Sequence, residues 1–324
     1  MHSRIALLKL FVIKVLKTMS AKSLITALFL LSISFTGLAA DPDDLELDAE
    51  LGSFWVEAGR GREGNKIEVF YYKPKTFDEN SDVIMVFADR EREGKMARNR
   101  WIAAAKQHNL LVLSPTYTSE VYPTSANYDL GGILTVEDDT YVPIPNQREW
   151  IFRDFDRIFN LVVEATGSKQ THYDFFGHGA SGELGQRLAM FYPQTKADRI
   201  VAANPSWYTV PEFSSPFPYG LLKAPIEPAA MVQQLKAAFT KELIVFVGEK
   251  DNENEYRGRF RRDDFADVQG KHRLERGEYF YKQSAIEANA LDAPFNWIFY
   301  VVPDVGHNPT RMSVAAAEFL YGNQ

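Results

Sequence analysis

The chain has 324 residues, of which 45% are hydrophobic, so one large domain or two ordinary ones can bury a sizeable core. Its net charge is −7 and no run of Lys or Arg interleaves with aromatics, which argues against a nucleic-acid partner. Cysteine is absent, which excludes disulfides, thiolate metal sites and thiol nucleophiles and leaves oxygen and nitrogen to carry any covalent chemistry. The six histidines are scattered and none is paired at ligand spacing, so neither a metal nor a cofactor is expected.

In chain order, residues 1–40 read as a leader. Lys22 precedes the apolar stretch from Leu24 to Phe35, and Gly37, Ala39 and Ala40 follow before the acidic DPDDLELDAE. That order of charge, apolar core and small residues is that of a secretory signal cleaved near Ala40, with Met19 as an alternative start. The expectation is an exported chain, periplasmic or secreted. An uncleaved anchor is the weaker alternative, because the apolar core is shorter than the ~20 residues a span needs.

From Asp41 onward, short β-rich runs alternate with segments of helical periodicity. The runs are 67–74, 83–89, 110–117, 172–178, 199–207, 242–251 and 296–307; the helical segments are 95–108, 148–166, 183–191, 229–239, 281–291 and 311–321. Continuous apolar strands between helices predict an α/β fold with a mostly parallel sheet covered by helices on both faces. The first run alternates more than the rest and sits beside FWVEAG, which suggests an antiparallel hairpin at one edge. The domain spans 41–324, with irregular insertions at about 117–147 and 206–228 after strand ends, where ligands bind in open sheets.

The segment YDFFGHGASGE (173–183) has the form of a nucleophile elbow, a tight strand-to-helix turn whose flanks must be small. With Gly179 at the tip, the flanks are Gly177 and Ser181. With Ser181 at the tip, Glu183 falls on a flank and collides, so the tip is Gly179, which has no side chain. An acid and a base follow in the order such a site needs: Asp251 at the end of a strand, and His307 in a Gly-His turn ahead of the last helix.

Together with VAANPSWYTVP, FPYG, VGEKD and VPDVGHNPTRM, the elbow segment resembles the exported poly(3-hydroxybutyrate) depolymerase and esterase branch of the α/β-hydrolase superfamily, over about residues 50–322. The resemblance implies the α/β-hydrolase fold, an acid at Asp251, a base at His307 and an oxyanion hole at Ala180 and Asp89. It also implies ring residues Trp207, Tyr208, Phe217 and Tyr219 around a pocket for a small hydrophobic ester or polyester-derived ligand. Two departures stand out. Gly179 occupies the position of the family's serine, and Ala88-Asp89 replaces a His-Gly pair in the loop after VIMVF, bringing a carboxylate to a place where each hydrogen-bond donor is worth ~3–4 kcal/mol to catalysis.

Ser181 is the alternative nucleophile, but it begins on the order of 5–7 Å from the tip, given 3.8 Å between successive Cα atoms. Ser114 and Ser206 are ordinary serines. Glycine at the tip relieves about 1–3 kcal/mol of backbone strain that a residue with a Cβ would carry. The sequence therefore points to a hydrolase fold with impaired ester chemistry that binds a ligand or a protein partner, with an active Ser181-Asp251-His307 esterase as the alternative.

Overall fold

The computed structural model describes residues 45–138, 140–253 and 260–322. The leader with its cleavage site and alternative start lies outside them. Among the described residues, no helix is long and apolar enough to cross a membrane.

Strand β1 (Leu51–Glu57) and strand β2 (Lys66–Tyr72) form an antiparallel hairpin in which Phe54 and Val56 face the core while Leu51 and Trp55 face water. This is the expected edge hairpin, and its alternation follows from having one wet face. After it come β3 (Val83–Phe87), helix α1 (Gly94–His108), β4 (Leu111–Thr116) and the short helix α2 (Ser125–Tyr128). A small hairpin, β5 (Leu134–Glu137) with β6 (Thr140–Pro143), leads to α3 (Phe152–Thr166), β7 (Tyr173–His178), α4 (Ala180–Phe191) and β8 (Ala197–Ala203). The chain continues through α5 (Pro228–Phe239), β9 (Glu242–Gly248), α6 (Asp264–Val268), α7 (Arg273–Ala290), β10 (Ile298–Val302) and α8 (Pro309–Tyr321).

The main sheet runs β1-β2-β4-β3-β7-β8-β9-β10, parallel from β4 to β10 and antiparallel at the β1–β2–β4 edge. Alternate residues of its central strands go to opposite faces. Phe175, Ile200 and Val245 join α3, α4, α5 and α7 in one core, while Phe176, Val201 and Phe246 join α1 and α8 in the other. A strand buried on both sides has no polar positions to spare, which is why these runs read as unbroken apolar text. The amphipathic stripe of α3, Phe152, Phe155, Ile158, Phe159 and Val162, recurs at three and four residues and lies wholly in the first core.

The departures from expectation have local causes. α7 starts at Arg273, eight residues before the expected 281, because its first turns carry Arg273, Glu275, Arg276 and Glu278 and hide the helical period. Arg273 and Arg276 are nevertheless buried. The strands end earlier than their apolar runs: β8 stops at Ala203 and β9 at Gly248, leaving Asn204 and Asp251 in the loops that follow. The two insertions pack on each other, with Ala126, Leu130 and Leu134 of the first against Trp207 and Tyr219 of the second.

One polar cluster ties two strands to the last helix. Arg199 on β8 donates two parallel hydrogen bonds to the Asp174 carboxylate on β7, at 2.9 and 2.6 Å, and a third to the Leu320 carbonyl at 2.7 Å; the Tyr321 hydroxyl donates to Asp174 at 2.5 Å. Removing one member leaves a desolvated charge without its partner. Asp174→Ala is expected to lower stability by roughly 3 kcal/mol in urea unfolding, and a loss under about 1 kcal/mol would show that water replaces the pair at little cost.

Candidate functional site

The elbow follows from crowding at the end of β7. A Cβ on Gly177 would lie 2.1 Å from the Ser181 carbonyl oxygen, so the flank tolerates nothing larger than glycine. Gly179 stands at φ +62°, ψ −118°, and α4 begins at the next residue. The Gly179 N–H donates to the Ala203 carbonyl at 2.9 Å, and its own carbonyl accepts from the Glu183 N–H at 3.0 Å, which fixes the turn between β8 and α4.

Ser181 is fully buried. Its hydroxyl lies 3.0 Å from the carbonyl oxygens of both Phe87 and His178, and its oxygen accepts the His178 N–H at 2.9 Å. This corrects the reading of Ser181 as an alternative nucleophile: its hydroxyl is committed to the backbone beneath the turn. Ser114 is fully buried in β4, and Ser206 donates to the buried Glu183 carboxylate.

The space above Gly179 is taken by Asp89, in the loop after β3. A Cβ at Gly179 would come within 2.7 Å of both Asp89 carboxylate oxygens. Asp89 Oδ1 accepts the Ala180 N–H at 3.0 Å and the Arg90 N–H at 2.8 Å. The expected oxyanion-hole pair is thus brought together with reversed roles for Asp89, whose side chain accepts from Ala180 where a backbone donor was expected. The Tyr128 hydroxyl, donating to the Ala88 carbonyl at 2.5 Å, braces the loop.

Beside Asp89 lie two imidazoles. His307 donates its Nδ1–H to Asp251 Oδ2 at 2.8 Å, and Asp251 Oδ1 lies 3.3 Å from the Arg273 guanidinium. Asp251 and His307, 56 residues apart, are therefore brought into direct contact. The His178 ring sits 4.5 Å from that of His307, centroid to centroid. Burial, with further pressure from His307, Arg273 and Arg100, holds His178 well below the ordinary imidazole range and keeps it neutral. Its Nδ1 is buried without a hydrogen-bond partner, 4.0 Å from Asp89 Oδ2. Asn204, at φ +45°, ties these loops together: Oδ1 accepts the Gly248 N–H at 2.8 Å, and Nδ2 lies 3.3 Å from the Gly306 carbonyl and 3.4 Å from His178 Nε2. The scattered spacing of the histidines hid the pairing of His178 with His307, because the sheet joins residues that sequence separation keeps far apart.

A cavity of about 460 Å³ opens one residue from Asp89 and one helical turn from Gly179, lined by Arg90, Arg261, Arg262, Asp129, Glu183, Asp263, Phe260 and Trp207 among others. Of the four aromatic residues expected around a pocket, Trp207 faces this cavity. Tyr219 lies behind it, 5.0 Å from Trp207 ring to ring, with its hydroxyl donating to Asp263 at 2.5 Å. Tyr208 and Phe217 are corrections: Tyr208 is fully buried and stacked on Phe280 at 4.5 Å, and Phe217 packs on Phe191 at 5.6 Å. Tyr208 is a core ring, and Phe217 is half-buried between the core and the Trp207–Tyr219 cluster. The cavity is far more charged than a pocket for a hydrophobic ester, and its three arginines come from the loop after β3 and from residues preceding α6, neither of which the sequence singled out.

Under the cavity, Glu183, Asp129 and Arg187 are buried together. Burial, reinforced by Glu183, pushes the Asp129 carboxyl up to about 7 against the opposing pull of Arg90, Arg92 and Arg187. Burial likewise raises Glu183 and lowers the Arg187 guanidinium to about 10. The Arg187 guanidinium also lies over the Trp207 ring, 4.3 Å from its centroid.

Among solved structures, the chain is similar to poly(aspartic acid) hydrolase-1 from Sphingomonas sp. KT-1, with 34% identity, a TM-score of 0.76 and coverage of 85% of this chain and 100% of that one. It is similar to LpqC, a poly(3-hydroxybutyrate) depolymerase from Bordetella parapertussis, with 25% identity, a TM-score of 0.74 and coverage of 84% and 91%. An S-formylglutathione hydrolase from Agrobacterium tumefaciens shares the fold alone, at 14% identity, a TM-score of 0.52 and coverage of 83% and 92%. No family model matches the sequence, and neither does any curated protein.

The raised Asp129 carboxyl has a defined effect on stability. The folded state holds its proton more tightly than the unfolded state, so its contribution is complete below about pH 4 and is lost as pH rises through about 7. Asp129→Asn is therefore expected to be more stable than the parent chain at pH 8, by roughly 2–4 kcal/mol, with the difference shrinking toward pH 4. Urea unfolding at both pH values checks this; a gain independent of pH would contradict it.

Proposed function

We propose that this chain, which belongs to the α/β-hydrolase family, is an exported protein that has lost serine-type ester hydrolysis and uses its cleft to bind a carboxylate-bearing polymer or oligomer. The observation that carries the first part is the Asp89 carboxylate, which fills the side-chain space of Gly179 and holds the Ala180 N–H. A serine hydrolase needs an attacking oxygen at the tip and free N–H donors beside it. Here the tip has no side chain, and the Ala180 donor already holds an anion. The Asp251–His307 couple remains without a hydroxyl to act on.

The ligand class rests on the cavity and on kinship. Arg90, Arg261 and Arg262 line the cavity beside Asp129, Glu183 and Asp263; Arg261 is paired with Asp263 at 2.5 Å and Arg262 with Asp267 at 2.8 Å, while burial raises both the Asp129 and Glu183 carboxyls and so weakens the negative charge facing Arg90. Guanidinium groups suit carboxylates. One of the solved structures to which the chain is similar is a poly(aspartic acid) hydrolase, whose polymer carries a carboxylate on every unit. The leader in residues 1–40 supports export.

A fluorophosphonate probe is expected to leave the protein unlabelled. Gly179→Ser alone is expected to gain little, since the new Cβ meets the Asp89 carboxylate and the backbone adds about 1–3 kcal/mol of strain. Gly179→Ser combined with Asp89→Gly is expected to take the label at residue 179 and to raise short-ester turnover by at least about 100-fold over Gly179→Ser, the scale of one restored oxyanion donor. Labelling of the unaltered chain at Ser181 would refute the proposal.

Arg90→Ala is expected to weaken binding of aspartate oligomers by roughly tenfold, with affinity falling as salt rises. Equal affinity for an uncharged hydroxybutyrate oligomer, unmoved by the substitution, would transfer the ligand class to polyesters.

A further inference from the structure

We propose that Asp89, His178 and His307 form a divalent transition-metal site, with zinc as the natural occupant. The three side chains come from the loops after β3 and β10 and from the last residue of β7, and they bring one carboxylate oxygen and one nitrogen of each imidazole within 4.8 Å of one another. Neutral imidazole and carboxylate are zinc ligands, and three protein ligands with a fourth position left open is the pattern of reactive zinc sites.

Each member is prepared for the role in a different way. His178 is the fixed anchor. Its side chain keeps only 4% of its surface exposed, and its Nδ1 is buried, without a hydrogen-bond partner, and directed toward Asp89. A buried ring nitrogen without a partner is costly, and a metal would satisfy it. His307 has Nδ1 engaged by Asp251 at 2.8 Å, which leaves Nε2 as the ligating atom and reproduces the carboxylate–imidazole support that orients metal-bound histidines. Asp89 Oδ1 is held by the Ala180 and Arg90 N–H groups, so Oδ2 is the oxygen that turns toward the metal.

Bonds of about 2.0–2.2 Å to zinc bring ligand atoms to about 3.3–3.5 Å from one another. The present separations exceed that by no more than about 1.5 Å. The contraction falls on Asp89 and His307, whose side chains each keep 30% of their surface exposed and have room to turn. Metal on Nδ1 places the His178 proton on Nε2, so the Asn204 amide nitrogen, itself a donor 3.4 Å away, draws back from that ring nitrogen while keeping its 3.3 Å contact with the Gly306 carbonyl.

The proposal goes beyond ligand binding in the arginine cavity and does not depend on it, because zinc alone is the probe. Calorimetric titration of the full chain, free of any histidine tag and stripped with a chelator, is expected to show one zinc ion bound per chain. Asp89→Asn is expected to weaken that binding by at least tenfold, His307→Gln likewise, and Asp251→Asn by about 10–100-fold through the lost support. X-ray absorption of the loaded protein should report two imidazoles among nitrogen and oxygen neighbours. No binding, or an affinity that Asp89→Asn and His307→Gln leave unchanged in variants that keep the parent circular dichroism spectrum, would overturn the site; the second result would assign the metal to a surface histidine.

Discussion

The hydrogen bond from the Ala180 N–H to the Asp89 carboxylate decides what this fold can do. It joins the loop after β3 to the first residue of α4, across the space where a side chain at Gly179 would project. An anion there satisfies two backbone N–H groups, those of Ala180 and Arg90, at the positive end of a twelve-residue helix. The same contact makes glycine the residue that fits at 179: a Cβ would press on the carboxylate, and the positive φ would strain any side chain. Gly179 and Asp89 are thus mutually consistent: the missing side chain of one leaves the space that the carboxylate of the other fills.

The framework around this contact keeps the form of a hydrolase. Asp251 still holds the His307 imidazole, Asn204 still pins the loops beneath it, and Gly177 still permits the tight approach of Ser181. An acid–base couple that faces a carboxylate and a second imidazole has the donor set of a metal centre, whereas facing a hydroxyl it would be a proton relay. The buried Asp129–Glu183–Arg187 cluster extends the polar interior toward the arginine-lined cavity, so the Gly179 turn and the cavity differ in chemistry while lying within a helical turn of each other.

Much of the fold was legible because its strands are apolar on both faces and its helices carry a clear stripe, as in β7 and α3. α7 was misread at its start because buried Arg273 and Arg276 occupy positions where apolar residues set the period. At the site, the Gly179 turn and the contact between Asp251 and His307 join residues that turn chemistry and order along the chain had already singled out. The sequence raised Asp89 as an obstacle to catalysis but could not show that its carboxylate enters the elbow, since that depends on how two loops meet. His178 and His307 were invisible as a pair, being 129 positions apart, and the cavity arginines became a group only when the loop after β3 met the segment preceding α6. Tyr208 and Phe217 illustrate the opposite error, because rings near a strand end serve the core as readily as a pocket.

The most direct test of the central contact is nuclear magnetic resonance of the Ala180 and Arg90 amides during acid titration, alongside the Asp89 side-chain carboxyl carbon. Both amide protons are expected to shift together with that carboxyl as it takes up its proton, and to lose the transition in Asp89→Asn. An Ala180 amide that does not respond to the Asp89 titration would mean that the carboxylate is not seated in the turn, and the account of a self-occupied site would fail.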